Sequence, residues 1–205
     1  MKNSQIALAR TILGADFIQP EEVSESRKLT YSSKLLKHFT ETFPSEEILQ
    51  WLCKNGFILI AGPFIPMSLL EVREINTQLF FAKSGGWYEE QKENFSRNDK
   101  VMAEWLMLRK GVIRNSVGGK TWKEQQKFLA EMEYVPNIAE AVWGETTYKE
   151  VRNDWLFPSI YARTSSIYSN GHHVHFGDSE DGGVDVGGRY DFECYSSIGL
   201  TSARK

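Results

Sequence analysis

The last stretch of the chain, Tyr161–Lys205, constrains the fold more than any other segment. Around Phe176 and around Val186, apolar residues alternate with polar ones, which is the period-two pattern of strands with one buried face. Glycine pairs at 182–183 and 187–188 are typical of turns between such strands. We therefore expect short strands joined by tight turns, with the polar side chains held outward and on loops.

The composition of this stretch is typical of a binding surface. Between Tyr161 and Arg204 there is no Lys, Gln, Met or Trp, whereas Tyr, His, Ser, Asp, Asn and Gly are frequent. Such residues combine rigid aromatic area with adaptable hydrogen bonding at a low entropy cost. Loops on a rigid sheet are also where binding residues usually lie. We therefore expect a displayed recognition surface.

Length and composition indicate a soluble globular protein. With 205 residues, 41% hydrophobic and 25% charged, the chain is long enough to bury a substantial core. Its net charge of −3 gives no electrostatic reason to expect a nucleic-acid partner. The longest apolar run, 56–67, contains two prolines and is shorter than the ~20 residues that span a bilayer. No signal peptide is visible, so we expect a cytoplasmic protein without membrane insertion, with display on a virion or a cell surface left open.

Turn and cap signals divide the rest of the chain into helices and strands. Glutamates after Pro20 and Pro44, and the Thr-x-x-Glu capping box at Thr121, are typical helix starts. Met102–Lys110 fits a strand and a short helix equally well. Helices first and strands later predict an α+β fold. The expected helices are Ser4–Leu13, Pro20–Thr42, Pro44–Asn55, Lys123–Glu133 and Ile138–Val151, and the expected early strands are Phe57–Ala61 and Leu79–Ala82.

Two motifs that resemble ligand-binding loops lack a required residue. Val117–Thr121 looks like the end of a phosphate-binding loop, but Arg114 stands where the pattern needs a glycine. Asp178–Gly182 lacks the alternating acids and the closing glutamate of a calcium loop. We therefore expect a plain turn at the first motif and no calcium at the second.

Three histidines, His172, His173 and His175, invite a zinc hypothesis. A catalytic zinc needs three protein ligands and a second shell that orients them, and no fourth histidine lies nearby. Cys53 and Cys194 are too few for a disulfide framework. No Gly-x-Ser-x-Gly motif, catalytic cysteine or desolvated carboxylate pair is evident. We expect no metal, no cofactor and no enzymatic activity.

Short motifs in a fixed order give the chain a resemblance to a known family. The segments Val135–Ala141 (VPNIAEA), Tyr161–Ser166 (YARTSS) and Ser202–Lys205 (SARK) resemble those of the C-type-lectin-fold variable proteins of diversity-generating retroelements. The resemblance covers residues 57–205. Other segments that look like landmarks of the same group are Met67–Leu70, Gly86–Tyr88, Trp105–Leu106 and Leu108–Lys110.

The resemblance offers an explanation of the unusual composition. In that family a reverse transcriptase copies a template while mutating its adenines, and the copy replaces the 3′ end of the target gene. Mutated Asn codons then give Tyr, His, Asp, Ser, Gly, Cys, Arg and Phe among others, and never Lys, Gln, Met, Trp or Glu. This is close to the inventory between Tyr168 and Ser197. Glu180 and Glu193 depart from it and would be fixed or template-encoded positions.

The resemblance also implies an organisation and a partner. Residues 1–55 would be a helical N-terminal extension, and residues 56–205 a C-type-lectin fold whose variable region is about 161–205. The ligand would be a macromolecule, a protein and not a nucleic acid. The expected ligand face is Tyr168, Asn170, His172, His173, His175, Arg189, Asp191, Phe192, Cys194, Tyr195 and Ser196. The expected buried skeleton is Val174, Phe176, Val184, Val186, Ile198 and Leu200.

Two other classes of function stay open at this point. An enzyme on the same fold, similar to formylglycine-generating enzymes or to a metal-dependent enzyme, would need a reactive cysteine pair or an ordered metal site. Only Cys194 lies near the expected face. A sugar-binding lectin of this fold would need calcium ligands, which we do not find in the sequence. We therefore expect a non-enzymatic binding protein.

Overall fold

A computed structural model describes residues 3–180 and 182–205 and shows a mixed α+β fold with several sheets. Helices α1 to α8 are Asn3–Leu13, Pro20–Arg27, Ser33–Glu41, Glu46–Asn55, Leu69–Ile75, Phe95–Asn98, Trp122–Gln125 and Ile138–Arg152. Strands β1 to β11 are Phe17–Ile18, Phe57–Ala61, Met67–Ser68, Lys100–Val101, Trp105–Arg109, Glu133–Tyr134, Tyr161–Ile167, His173–Gly177, Asp185–Gly188, Ile198–Leu200 and Ala203–Arg204. None of the helices in these ranges is long and apolar enough to cross a bilayer.

The largest sheet combines strands from distant parts of the chain, in the order β1-β2-β5-β11-β6. The predicted strand Phe57–Ala61 is confirmed as β2, and it pairs antiparallel with β5 along its whole length. Met102–Lys110, which fitted two structures in the sequence, contains the strand β5. β11 lies between β5 and β6 and is antiparallel to both. Ala203 and Arg204 of the SARK segment therefore form an inner strand of this sheet.

The second sheet contains most of the C-terminal stretch and has the order β10-β7-β8-β9. β8 pairs antiparallel with both of its neighbours, and β10 pairs parallel with β7. The strands β3 and β4 form a separate small pair. Because β8 is an inner strand, its backbone is fixed on both sides, and the loops at its ends start from a rigid support.

The helix α8 packs against strands of both larger sheets and forms the centre of the core. It begins after Pro136, as predicted, with Asn137 as its cap and Glu140 completing a capping box. The indole of Trp143 is fully buried, and its Nε1 donates to the Ala61 carbonyl at 3.0 Å. A Cβ added to Gly144 would lie 2.4 Å from Leu108 Cδ2, so this glycine allows the close approach of helix and sheet.

The described part of residues 1–55 holds α1 to α4 and the strand β1. β1 adds in parallel to β2, with Phe17 opposite Leu59. Arg27 of α2 is buried, with its guanidinium carbon 4.4 Å from the Trp143 ring and its Nε 2.8 Å from Glu150 Oε2. These contacts dock the N-terminal helices on α8, while a domain boundary near residue 55 stays a prediction.

Three of the predicted elements differ from the structure. Leu79–Ala82 is not a strand, because a 3₁₀ turn capped by Asn76 ends at Leu79, a single bridge follows at Phe80, and Phe81 is exposed. The helix predicted over Lys123–Glu133 ends at Gln125. Glu133, the last residue of the predicted helix, lies in β6 and pairs with Arg204. The helix predicted over Pro20–Thr42 is two helices, divided where Lys28 takes a left-handed conformation after α2.

Candidate functional site: the C-terminal face

The apolar skeleton predicted for the C-terminal stretch is confirmed. Each of its six residues is at most 4% exposed: Val174, Phe176, Val184, Val186, Ile198 and Leu200. Most residues of the small and polar segments at both ends of the stretch are also buried, namely Ala162, Arg163, Thr164, Ser166, Thr201, Ser202 and Ala203. The skeleton and these flanking motifs therefore form the support on which the remaining residues are displayed.

Most of the residues predicted for the ligand face reach the surface. The exposed ones are Asn170, Arg189, Phe192, Cys194 and Ser196. The half-buried ones are Tyr168, His172, His173, Asp191 and Tyr195. They lie on the loop after β7, at the start of β8 and on the loop between β9 and β10. We call this surface the C-terminal face.

The outward orientation predicted for His175 is wrong, because this residue is only 5% exposed. It lies on the inner strand β8 opposite Gly187, where an added Cβ would lie 2.4 Å from His175 Nε2. The Tyr161 ring covers it edge-on, with the ring centroids 5.1 Å apart. Burial lowers the pKa of His175 to about 3, helped by the charges of two nearby arginines. The alternating pattern predicted an exposed side chain at this position. It was wrong because Gly187, which has no side chain, leaves room for the imidazole against the neighbouring strand.

An aromatic ridge, which we define as His172, Tyr190 and Phe192, crosses the face. The rings of Tyr190 and Phe192 are stacked, with centroids 5.2 Å apart and an angle of 18°. His172 meets both of them edge-on, at 4.9 Å and 5.8 Å. Phe192 is 67% exposed and Tyr190 43%. Such a group of exposed rings is unusual, because isolated soluble domains rarely leave large aromatic side chains together in water.

Asp191 fastens the ridge to the start of β8. Its carboxylate accepts from the His173 backbone N–H at 3.0 Å and lies 2.7 Å from His173 Nδ1. Trp122 donates its backbone N–H to the Asp191 carbonyl at 2.9 Å, and its ring stacks on His173 at 3.7 Å. Burial lowers the pKa of His173, although the nearby carboxylate acts in the opposite direction. His173 and Asp191 therefore contact other residues of the protein and hold the loops of the face in position.

A buried arginine that the sequence reasoning missed holds the loop between β9 and β10. Arg163 is fully buried in β7, and its Nη2 lies 3.4 Å from the Tyr190 carbonyl and 3.1 Å from the Glu193 carbonyl. Its Nη1 donates to Gln125 Oε1 at 2.8 Å, and Gln125 in turn donates to the Ile198 carbonyl at 2.8 Å. One signal in the sequence could have indicated this role: Arg163 is the one charged residue in the YARTSS segment. Two buried side chains thus fix the main chain of this loop.

Glu93 has a corresponding role for the loop after β7. Its carboxylate accepts from the Ser169 backbone N–H at 3.0 Å and from Ser169 Oγ at 2.6 Å. Trp87 packs edge-on against Tyr168 at 5.7 Å, and its Nε1 donates to the Val186 carbonyl at 2.7 Å. No local sequence signal indicates that residues 87–93 border the face, because their partners lie more than seventy positions away along the chain.

Two adjoining cavities open on the C-terminal face. The larger has a volume of about 500 Å³ and the smaller about 340 Å³. Trp87, Gly188, Arg189 and Tyr195 line both of them. The guanidinium carbon of Arg189 lies 5.4 Å from the centre of the Tyr195 ring. The face therefore offers both a raised ridge and a recess beside it.

Tyr161 and His175, near the smaller cavity, each keep one protonation state near neutral pH. The Tyr161 hydroxyl lies 3.2 Å from an Asp178 oxygen and 3.1 Å from an Asp185 oxygen. Burial and these two carboxylates raise the pKa of Tyr161, so the hydroxyl keeps its proton. Neutral His175 lies in the wall of the same cavity. These groups can donate and accept hydrogen bonds without a change of charge near neutral pH.

The structure separates His175 from the other two histidines of the zinc hypothesis. His175 is buried inside the sheet, whereas Asp191 binds His173 and lies 3.8 Å from His172 Nδ1. Across residues 3–180 and 182–205, no group of three or more His, Cys, Asp or Glu side chains could hold a metal ion. Cys53 and Cys194 are free and exposed.

No family model, no curated protein and no solved structure matches the chain.

Proposed function

We propose that this protein binds macromolecular ligands, proteins in particular, through its C-terminal face and catalyses no reaction. The observation that carries the proposal is the aromatic ridge, whose rings are exposed while the loop beneath them is held by buried side chains. Interface energy concentrates in a few aromatic and arginine residues. A rigid loop also loses little entropy when it binds.

We further propose that the fold is a C-type-lectin fold and that a retroelement diversifies the face. The order of the VPNIAEA, YARTSS and SARK motifs supports this proposal. The burial of YARTSS and SARK residues also supports it, because a variable surface needs flanks that stay constant. Glu193, which a mutated Asn codon cannot encode, binds the Tyr195 hydroxyl through its carboxylate. This contact fits a fixed position within the variable region.

The DNA beside the gene tests this proposal. We expect a near-copy of the codons for Tyr161–Lys205, differing from the gene only at adenines of the copy, next to a reverse transcriptase gene. The differing codons should be those of surface residues such as Asn170 and Phe192. The codons of Arg163 and Phe176 should be identical in gene and copy, because changing either side chain would disturb the support.

Two outcomes would contradict the proposal. One is a locus without any such copy. The other is a copy whose differences fall mainly in the codons of the buried skeleton, because variation there would change folding and not recognition.

A further inference from the structure

The larger cavity on the C-terminal face has aromatic walls and contains carboxylates. Among the residues that line it are Trp87, Tyr168, Tyr195, Glu93 and Glu193. Trp87 and Tyr168 support each other edge-on, and the indole is fixed by its bond to the Val186 carbonyl. Aromatic rings attract cations at their faces, and carboxylates attract them at short range. Three glutamates and two cations, Lys92 and Arg189, line the cavity. The lining therefore carries one net negative charge, and together with its rings it favours a positively charged group.

The strongest single feature of this cavity is the Glu93 carboxylate. The residue is only 1% exposed, and its carboxylate accepts hydrogen bonds from the N–H and the hydroxyl of Ser169. Within residues 3–180 and 182–205, no cationic side chain forms an ion pair with it. The neighbouring Lys92 is instead paired with Glu90 at 3.1 Å. A buried carboxylate without a counter-charge is costly, and a cation that approaches it gains the corresponding attraction.

A guanidinium already lies against the wall of the cavity. Arg189 places its guanidinium carbon 5.4 Å from the centre of the Tyr195 ring, and the Tyr195 hydroxyl donates to the Glu193 carboxylate. The side chain of Arg189 is exposed, so this contact is weak and can be exchanged. The contact of Arg189 with the Tyr195 ring is thus of the same kind as the contact that a basic side chain of a ligand would make.

We propose that this cavity receives a basic side chain, arginine or lysine, from the protein ligand. The inference rests on the proposed function, since it names the chemistry of one contact that the face makes. The ligand cation lies between the rings of Trp87 and Tyr195, near the Glu93 carboxylate. The opposite possibility, an acidic side chain bound by Arg189, is an outcome of the experiment below.

The experiment titrates the full chain with capped single amino acids and follows the amide N–H of Ser169 and the indole N–H of Trp87 by NMR. N-acetyl-arginine methylamide should shift both signals, with weak millimolar affinity. The capped glutamate and capped norleucine should shift neither. A response to glutamate equal to or greater than the response to arginine would overturn the proposal.

Three variants make the result specific. Glu93→Gln should weaken arginine binding by about 10-fold or more, since it removes a charged partner, whereas Glu90→Gln, at an exposed and already paired position of the same cavity, should change it less than about 2-fold. Arg189→Ser should strengthen arginine binding by about 2- to 5-fold, because it removes a competing guanidinium. Loss of arginine binding in Arg189→Ser, or unchanged binding in a folded Glu93→Gln, would reject the cavity as a cation site.

These titrations are independent of the locus test. Binding of capped arginine would stand even if no diversified copy of the gene were found. If capped arginine did not bind but a diversified copy of the gene were found, only the proposal of a basic side chain in this cavity would be rejected.

Discussion

The five-stranded sheet and the C-terminal face hold their backbones in different ways. In the sheet, β2 is buried over its whole length and pairs residue by residue with β5. The loop between β9 and β10 has an isolated bridge at Tyr195, and side chains of other elements bind its main chain, above all Arg163. Apolar burial therefore stabilises the first region, and side-chain hydrogen bonds to the backbone fix the second. Different residues of one chain therefore stabilise the core and hold the exposed loop in place.

The largest expected effect tests the apolar support beneath the face. Phe176→Ala should lower the free energy of unfolding by about 3–5 kcal/mol, because it leaves a cavity beside Phe157, whose ring centroid is 4.7 Å away. Urea denaturation measures the change. A loss below about 1 kcal/mol would show that β8 is not held by its apolar side.

The second effect tests the side-chain support of the loop. Arg163→Met should lower the free energy of unfolding by about 3 kcal/mol, since the carbonyls of Tyr190 and Glu193 and the amide of Gln125 lose a buried charged partner. The matched control, Arg189→Met, removes an exposed arginine and should cost less than about 0.5 kcal/mol. Equal effects of the two substitutions in thermal melts would refute the role of Arg163.

The third effect is the dependence of stability on pH that buried His175 should cause. The folded pKa of His175 is about 3, below the ordinary 6.5, so the folded state binds its proton later than the unfolded state as the pH falls. Stability from this group is complete above about pH 6.5 and is lost toward pH 3, at roughly 1.4 kcal/mol per pH unit. Between pH 6.5 and pH 4.5 the wild type should therefore lose about 2–3 kcal/mol more than His175→Gln. Parallel stability curves for the two proteins would show that the imidazole titrates normally.

The smallest expected effect is on the ridge itself. Phe192→Ala repeats the substitution made at Phe176, but at a side chain that is 67% exposed. It should change the free energy of unfolding by less than about 0.5 kcal/mol, while removing a principal contact for a protein ligand. A melting temperature lowered as far as that of Phe176→Ala would place Phe192 in the core and contradict the displayed ridge.

The sequence predicted those elements whose signals are local. Phe57–Ala61 could be found because a continuous apolar run between Gly56 and Gly62 is typical of a buried strand. The start of α8 could be found because Pro136 and Asn137 form a helix stop and a cap within a few residues. The alternation around Phe176 placed the skeleton correctly for the same reason.

Elements that depend on distant partners could not be predicted in this way. The acceptors of Arg163 lie 27 to 43 positions away along the chain, and the contact of Glu93 with Ser169 spans 76. The apolar residues near Phe80 suited a strand by composition, but the structure gives them only one bridging partner. Alternation assigned His175 to the outside because it takes no account of a glycine on the next strand.

The contact between Arg163 and the loop has a consequence for inheritance. The arginine binds the carbonyl groups of positions 190 and 193, and every amino acid supplies the same carbonyl. A codon change at position 190 can therefore replace the tyrosine ring without removing the bond that fixes the loop. Descendants of this gene could acquire new surface chemistry at that position while each still inherits a folded protein.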